Sequence, residues 1–350
     1  MIPATTLWRS FHVWRSWRAG RRVPLSITYF VNGQCNLRCR GCFFFEHPPD
    51  GDPDAELASS LGDLDTTQAK SLIDDVARMG VPFLELVGGE PFLRRDLIEL
   101  ARHARRRGLW CGVTTNGTRF TDDLARAARA AFRTVFVSID GFESAHDAVR
   151  GTGSYAKSLD GLRRLIRAPG AALVGVSTIV GPENVASLPV FADHVRSLGV
   201  QQLVLSSGLA PAPAIDPAAA APVLARFKQM RRELPAFLPQ DERFFDALLG
   251  FYRGEGRYGC HVDQLLHVSV SPTGEASACC MWPVPLGPAR DRQLSRTLAA
   301  TTTATLAPVA KCSGCARHDY AYTMNLFQRP LPRLVSEGLA LARGRSLGAP

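Results

Sequence analysis

Three cysteines within eight residues, in the run Cys35-Asn-Leu-Arg-Cys39-Arg-Gly-Cys42, are the residues of this chain best suited to chemistry. Thiolates hold iron–sulfur clusters, and a closed cubane takes four of them. A CxxxCxxC run supplies three, which leaves one iron open to a ligand that is not protein. Spacing alone leaves two alternatives: a cysteine from elsewhere closes the cluster, or the thiolates bind zinc, whose structural sites also take four ligands.

The other cysteines form a second constellation. Cys260 is followed by Cys279 and by the pair Cys312-Ser-Gly-Cys315. Four thiolates make a fully ligated cubane, which carries electrons but has no open iron, or a structural zinc site. Cys280 adjoins Cys279 and competes for the same role; Gly274, five residues before Cys279, favours Cys279 at the far end of a hairpin strand. Cys111 lies inside a predicted strand and reads as a core residue.

These groups need a scaffold, and the hydrophobic pattern supplies one. Strand-like runs occur at 25–31, 82–87, 110–115, 134–139, 173–180 and 201–206, with helical periodicity at 67–79, 95–107, 121–131, 155–167 and 185–198. Near-continuous β-branched runs read as parallel strands buried on both faces. Six strands alternating with helices predict an α/β fold, either an incomplete β/α barrel or a doubly wound sheet, and in both the chemistry gathers at the C-terminal ends of the strands. The first cysteine run follows the first strand. Residues 1–24 carry an amphipathic helix over 7–18, residues 25–208 the core, 209–255 an Ala/Pro-rich linker and helices, 256–330 a small α+β extension with a hairpin turning at Ser271–Gly274, and 331–350 a tail. The acidic, Pro/Gly-rich segment 46–65 reads as a long loop beside the first cysteines.

Gly88-Gly89-Glu90-Pro91 ends the second predicted strand, Thr114-Thr115-Asn116-Gly117 the third, and Ser138-Ile139-Asp140-Gly141 the fourth. With the cysteine run on the first, this series resembles the radical S-adenosylmethionine (SAM) superfamily over residues 25 to about 206. The resemblance implies a partial (β/α)6 barrel of the radical SAM type. It also implies a [4Fe–4S] cluster on Cys35, Cys39 and Cys42 whose open iron binds the methionine part of SAM, and an external electron donor of the flavodoxin or ferredoxin type. Reductive cleavage of SAM then gives a 5′-deoxyadenosyl radical that abstracts hydrogen from a substrate. SAM contacts are expected from Gly88, Gly89, Glu90, Pro91, Asn116, Ser138, Asp140 and Arg150. Glycines let a ligand approach the backbone, Glu90 can accept from an ammonium group, and a guanidinium grips a carboxylate bidentately. Asn116-Gly117 also reads as a plain loop turn, and Arg150 as one of many surface arginines. The C-terminal cysteines are similar to the twitch extension of the same superfamily, which implies an auxiliary [4Fe–4S] cluster on Cys260, Cys279, Cys312 and Cys315. The related SPASM extension needs further cysteines, and none follows Cys315.

Composition narrows the function. At 350 residues and 46% hydrophobic, the chain is expected to be globular, and no apolar signal core interrupts its arginine-studded start, so a cytoplasmic protein is expected. The net charge of +9 is dispersed, without a dense basic stripe or an RNA-binding motif, so nucleic acid is not the expected partner. The tryptophan and arginine content of helix 7–18 suits either contact with a membrane surface or packing against the barrel. The expected substrate is a small organic molecule, sugar- or cyclitol-like or lipid-linked, modified in a biosynthetic tailoring step. A peptide maturase is the first alternative, although about 24 residues before the first strand leave no space for a peptide-recognition module. An RNA-modifying enzyme and a non-catalytic iron–sulfur or zinc scaffold are the others. The sequence does not assign the acid or base.

Overall fold

A computed structural model describes residues 3–42, 62–208, 215–255, 265–279 and 284–308. Cys260, Cys280, Cys312, Cys315, most of the acidic loop and the tail 331–350 lie outside the described residues.

Six strands, β1 (Ser26–Phe30), β2 (Phe83–Val87), β3 (Trp110–Thr115), β4 (Thr134–Ser138), β5 (Leu173–Val180) and β6 (Gln202–Ser207), pair in parallel with their sequence neighbours. Helices connect them: α2 (Thr66–Arg78), α3 (Leu97–Arg106), α4 (Asp122–Ala131), α5 (Glu143–Arg150), α6 (Ser154–Arg167) and α7 (Leu188–Ser197), after an N-terminal α1 (Ala4–Arg18). The arrangement is a partial (β/α)6 barrel. Local chemistry sets the helix ends. Asp65 and Gln68 form a reciprocal capping box at the start of α2, whose buried stripe is Ala69, Leu72, Ile73 and Val76, and Gly80 at φ +81° releases the chain toward β2. Thr121 caps α4 by accepting from the Leu124 N–H, and the buried Ala125, Ala128 and Ala131 give that helix a slender inner face.

The strands are not buried equally on both faces, contrary to the expectation from their apolar runs. Ile27, Leu84, Leu86, Val113, Val135 and Val176 lie wholly buried beneath the helices. The alternate positions, including Thr28, Glu85, Thr114, Thr134, Ser138 and Ser177, remain partly exposed on the inner face. A row of hydroxyls and one carboxylate distinguishes this face from a packed core.

The C-terminal part is continuous with the barrel sheet. After α8 (Pro217–Glu233) and α9 (Glu242–Tyr252), strand β7 (His267–Val270) pairs in parallel with β1. Strands β8 (Glu275–Ser277) and β9 (Pro285–Pro288) then add antiparallel, giving the order β6-β5-β4-β3-β2-β1-β7-β8-β9. The predicted hairpin is therefore present, turning through Gly274 at φ +82°, but its second strand ends at Ser277, before Cys279. Short helices α10 (Leu294–Ala300) and α11 (Thr303–Leu306) follow. The Ala/Pro run expected to be a linker is helical from Pro217, because proline is tolerated at a first helical position where its missing N–H costs nothing.

Helix α1 lies at the opposite end of the strands from the cysteines. Val13 packs with Leu25 and Leu266, flanked by Trp14, Trp17, Val23 and Phe83, and Arg9 donates to the carbonyls of Val81 and Arg107. Two of its tryptophans thus pack on the barrel, while Leu7, Trp8 and Phe11 stay exposed. Among the described residues no helix is long and apolar enough to cross a membrane.

Candidate active site at the C-terminal ends of the strands

The cysteine run leaves β1 and is fastened on three sides. Asn36 donates to Thr118 Oγ1 at 2.8 Å and accepts from Asn116 Nδ2 at 2.9 Å, which ties the run to the loop after β3. The Arg40 N–H donates to the Val149 carbonyl at 2.8 Å, at the end of α5, and the Arg40 guanidinium pairs with Glu183 beyond β5. Within the run, the Cys42 N–H donates to the Cys39 carbonyl at 3.2 Å. All three thiols are half-buried. Burial, followed by the charges of Glu90 and the other two thiols, pushes the Cys35 thiol up to about 11, and burial likewise raises Cys39. A metal must therefore displace protons to bind here.

The two glycines after β2 are required by the protein itself. A Cβ on Gly89 would overlap the Gln34 carbonyl and come within 2.9 Å of Cys35 Cβ, while one on Gly88 would lie 2.8 Å from the Asn32 carbonyl. Backbone hydrogen bonds clasp the same two segments, from Gly89 to Asn32 at 3.1 Å and from Glu90 to Gln34 at 2.7 Å. The close approach expected of a ligand is made by the cysteine loop.

Glu90 is fully buried, and its carboxylate accepts from Thr115 Oγ1 at 2.7 Å, the Asn116 N–H at 2.7 Å and the Phe92 N–H at 3.0 Å. Burial raises its pKa against those three donors. In this structure Glu90 binds the ends of β2 and β3 together, and Pro91 opens the short turn that follows. Asn116 closes a turn by accepting from the Thr118 N–H and hydroxyl. The turn reading holds, and the same side chain tethers the cysteine run through Asn36.

Asp140 is 2% exposed; it accepts from the Ile179 N–H at 2.8 Å and from Arg150 Nε at 2.7 Å. Burial opposes the charge on Arg150, but Asp140 and then the Cys39 thiol outweigh it and raise the pKa. The buried ion pair therefore sets a cation beside the cysteine run. Ser138 ends β4 on the inner face, in register with Ser177. Cys279, the one described member of the second constellation, is buried just past β8.

His146, Asn36, Arg40 and Glu183 were not identified from the sequence. His146 and Asp147 stood four and three residues before Arg150, a usable helical signal, but the eight-residue α5 was missed between two glycine-flanked loops. The partnership of Arg40 with Glu183 spans 143 residues and leaves no local trace. Asp147 caps α6 by accepting from Gly153, Ser154 and Tyr155. His146 is wholly buried, accepts from the Asp140 N–H through Nδ1 at 3.2 Å and packs edge-on to Tyr155.

Burial, then the charge of Arg150, lowers His146 to about 4 from 6.5, against the pull of Asp140 and Asp147. The unfolded chain thus binds a proton below pH 6.5 that the folded chain refuses, so this stability is present above pH 6.5 and is lost as pH falls toward 4. The loss amounts to about 3 kcal/mol. Urea unfolding across this window is expected to show a shallower decline in His146→Gln than in the parent chain. Identical slopes would show that the ring protonates freely in the folded state.

Known proteins are similar to this chain over the same region. The Radical SAM superfamily profile matches residues 29–195. Mycofactocin maturase MftC of Mycobacterium tuberculosis is 35% identical over 182 residues, 51% of this chain and 44% of the relative. Pre-heme d1 synthase of Dinoroseobacter shibae is 33% identical over 192 residues, 54% of this chain and 45% of the relative. The matched region spans less than half the length of these relatives. Among solved structures, anSMEcpe with bound AdoMet and a Kp18Cys peptide superposes with a TM-score of 0.60 at 18% identity, covering 80% of this chain and 81% of the other. Streptococcus suis SuiB bound to S-adenosylmethionine gives 0.58 at 12% identity, covering 77% and 62%. These likenesses establish the fold.

Proposed function

We propose that this chain, which carries a radical SAM domain across residues 29–195, cleaves SAM reductively and uses the resulting radical to abstract hydrogen from an organic substrate on the inner face of the barrel. The observation that carries the reading is the joint between the cysteine run and Gly88–Pro91. Gly89 backs onto Cys35 so closely that no side chain fits between them. Cys35 and Gly89, 54 positions apart in sequence, thereby become one surface.

The donor set suits a cluster: three half-buried thiols on one loop, near enough to raise one another's pKa. Cys35, Cys39 and Cys42 would hold three irons of a [4Fe–4S] cluster, which when bound supplies the open iron for SAM and the electron that breaks a carbon–sulfur bond. The chain's own groups do the rest. Asn36, Asn116 and Thr118 fix the loop, Arg150 presents positive charge beside Cys39, and Asp140 keeps that charge in place. Ser138, in register with Ser177 and partly exposed, offers its hydroxyl at the inner mouth to a ribose or carboxylate. Cys260, Cys279, Cys312 and Cys315 are proposed as ligands of an auxiliary cluster that accepts the second electron when a substrate radical is oxidised.

A peptide is the first substrate class we propose, because relatives at 35% identity are named maturases. A polar metabolite is the second reading, favoured by the hydroxyls of Thr28, Thr134, Ser138 and Ser177 on the inner face. Anaerobic reconstitution with iron and sulfide, reduction and addition of SAM are expected to yield 5′-deoxyadenosine. The Cys35/Cys39/Cys42→Ala variant should yield none. Iron near about eight atoms per chain supports both clusters, and about four, lost in the variant, removes the auxiliary one. A loaded protein that does not bind SAM would overturn the reading.

A further inference from the structure

We propose that Glu85 is the substrate-recognition residue of the inner face, its carboxylate receiving a protonated amine carried by the substrate. The assignment rests on the radical SAM reading for the location of the substrate, and on four observations for the residue.

Glu85 occupies an inward position of β2, half-buried, between the wholly buried Leu84 and Leu86 that face the helices. It precedes Gly88 by three residues, which places it roughly 10 Å down the strand from the cysteine joint. Across the sheet it stands in register with Thr28 on β1 and Gly112 on β3, and Gly112 in turn with Thr134 on β4. The row therefore reads hydroxyl, carboxylate, glycine, hydroxyl.

The glycine is specific, because the Glu85 carboxylate fills the place a side chain would take. Gly112 has no positive φ, so its backbone does not call for glycine. A Cβ there would overlap Glu85 Oε2 and lie 2.5 Å from Thr134 Oγ1. Glycine at this position lets the carboxylate lie across β3, where Thr114 Oγ1 donates to Oε1 at 3.3 Å.

Charge makes the position distinctive. Among the described inward positions of β1 to β6, the others are hydroxyls, the amide of Gln202, glycines and apolar or aromatic side chains such as Phe83, Trp110 and Phe136, and Glu85 alone bears a formal charge. The site's other carboxylates are differently placed. Glu90 and Asp140 are essentially unexposed, whereas Glu85 is partly exposed on the inner face. A partly enclosed carboxylate attracts a cation more strongly than it would in bulk water, and a charge-assisted bond is about twice as strong as a neutral one. A substrate nitrogen bearing protons satisfies both demands, whereas an anionic group there is repelled. The amine can sit on a peptide, as a lysine or N-terminus, or on an amino sugar.

Ligand-observed NMR on the full chain tests this with hexylammonium, hexanol and hexanoate, and with a blocked lysine tripeptide and D-glucosamine as the two carriers. Hexylammonium is expected to bind in preference to hexanoate, with affinity falling about 10-fold in Glu85→Gln. Gly112→Ala, which retains the carboxylate but forces it aside, is expected to weaken binding in the same direction. Glu85-dependent binding of the tripeptide supports the assignment with a peptide as carrier, and that of glucosamine supports it with a sugar. Equal binding of hexylammonium to the parent chain and Glu85→Gln, or a preference for hexanoate, overturns it. The EPR signal of the reduced cluster is recorded with and without SAM on the parent protein. An unchanged signal overturns the radical SAM reading whatever the amine probes show.

Discussion

A Gly89→Ala chain should fold and yet fail to hold its cluster. The added methyl meets the Gln34 carbonyl and Cys35 Cβ, both backbone-fixed, so the cysteine loop must retreat from β2. The retreat breaks the Gly89–Asn32 and Glu90–Gln34 hydrogen bonds and displaces the first thiol relative to the other two. Displacements of about an ångström at a catalytic centre cost on the order of 100-fold in rate, and 5′-deoxyadenosine formation should fall by at least that much. Iron analysis and the thiolate-to-iron absorption of the reconstituted protein measure the cause directly. Full cluster occupancy in Gly89→Ala would mean that the loop accommodates the methyl and that the glycine serves another purpose.

The second large effect concerns Asp140. Its carboxylate holds Arg150, whose side chain is 12% exposed, and satisfies the Ile179 N–H. Removing one partner of a buried ion pair leaves an uncompensated charge, a loss of about 3–5 kcal/mol. Asp140→Ala should therefore unfold at much lower urea concentration. The double variant Asp140→Ala/Arg150→Met, which removes both charges, should recover part of the loss. If the double variant is as unstable as the single one, stranded charge is not the cause, and the lost hydrogen bond to Ile179 accounts for the effect.

The strands, the α/β alternation and the cysteine run were legible because each is a local pattern: apolar runs of strand length, helical spacing, thiols within eight residues. Asp140 and Arg150 were legible as chemistry but not as a pair with each other, because the short α5 that carries Arg150 back to β4 was not recognised. Glu90 illustrates a different limit. A carboxylate after two glycines suggests a ligand contact, but only coordinates show three protein donors converging on it. The polarity of the inner face was hidden for a similar reason. Threonine and serine are compatible with β-strands, so Thr28, Thr134 and Ser177 passed as strand formers until burial separated the two faces. The parallel pairing of β7 with β1 has no sequence signature, since contact between residues as distant as Ser26 and His267, 241 positions apart, depends on the path of everything between them.

That pairing has a consequence for synthesis. Strand β1 leaves the ribosome early and β2 follows soon after, but the neighbour on its other side is made more than two hundred residues later. At about 5–20 residues per second, the interval is on the order of tens of seconds. Throughout it the edge of β1, with unpaired amides and carbonyls running toward the cysteine loop, is open to any other extended chain. The nascent protein spends this period with the cysteine run already outside the ribosome and the strand that leads into it only half paired.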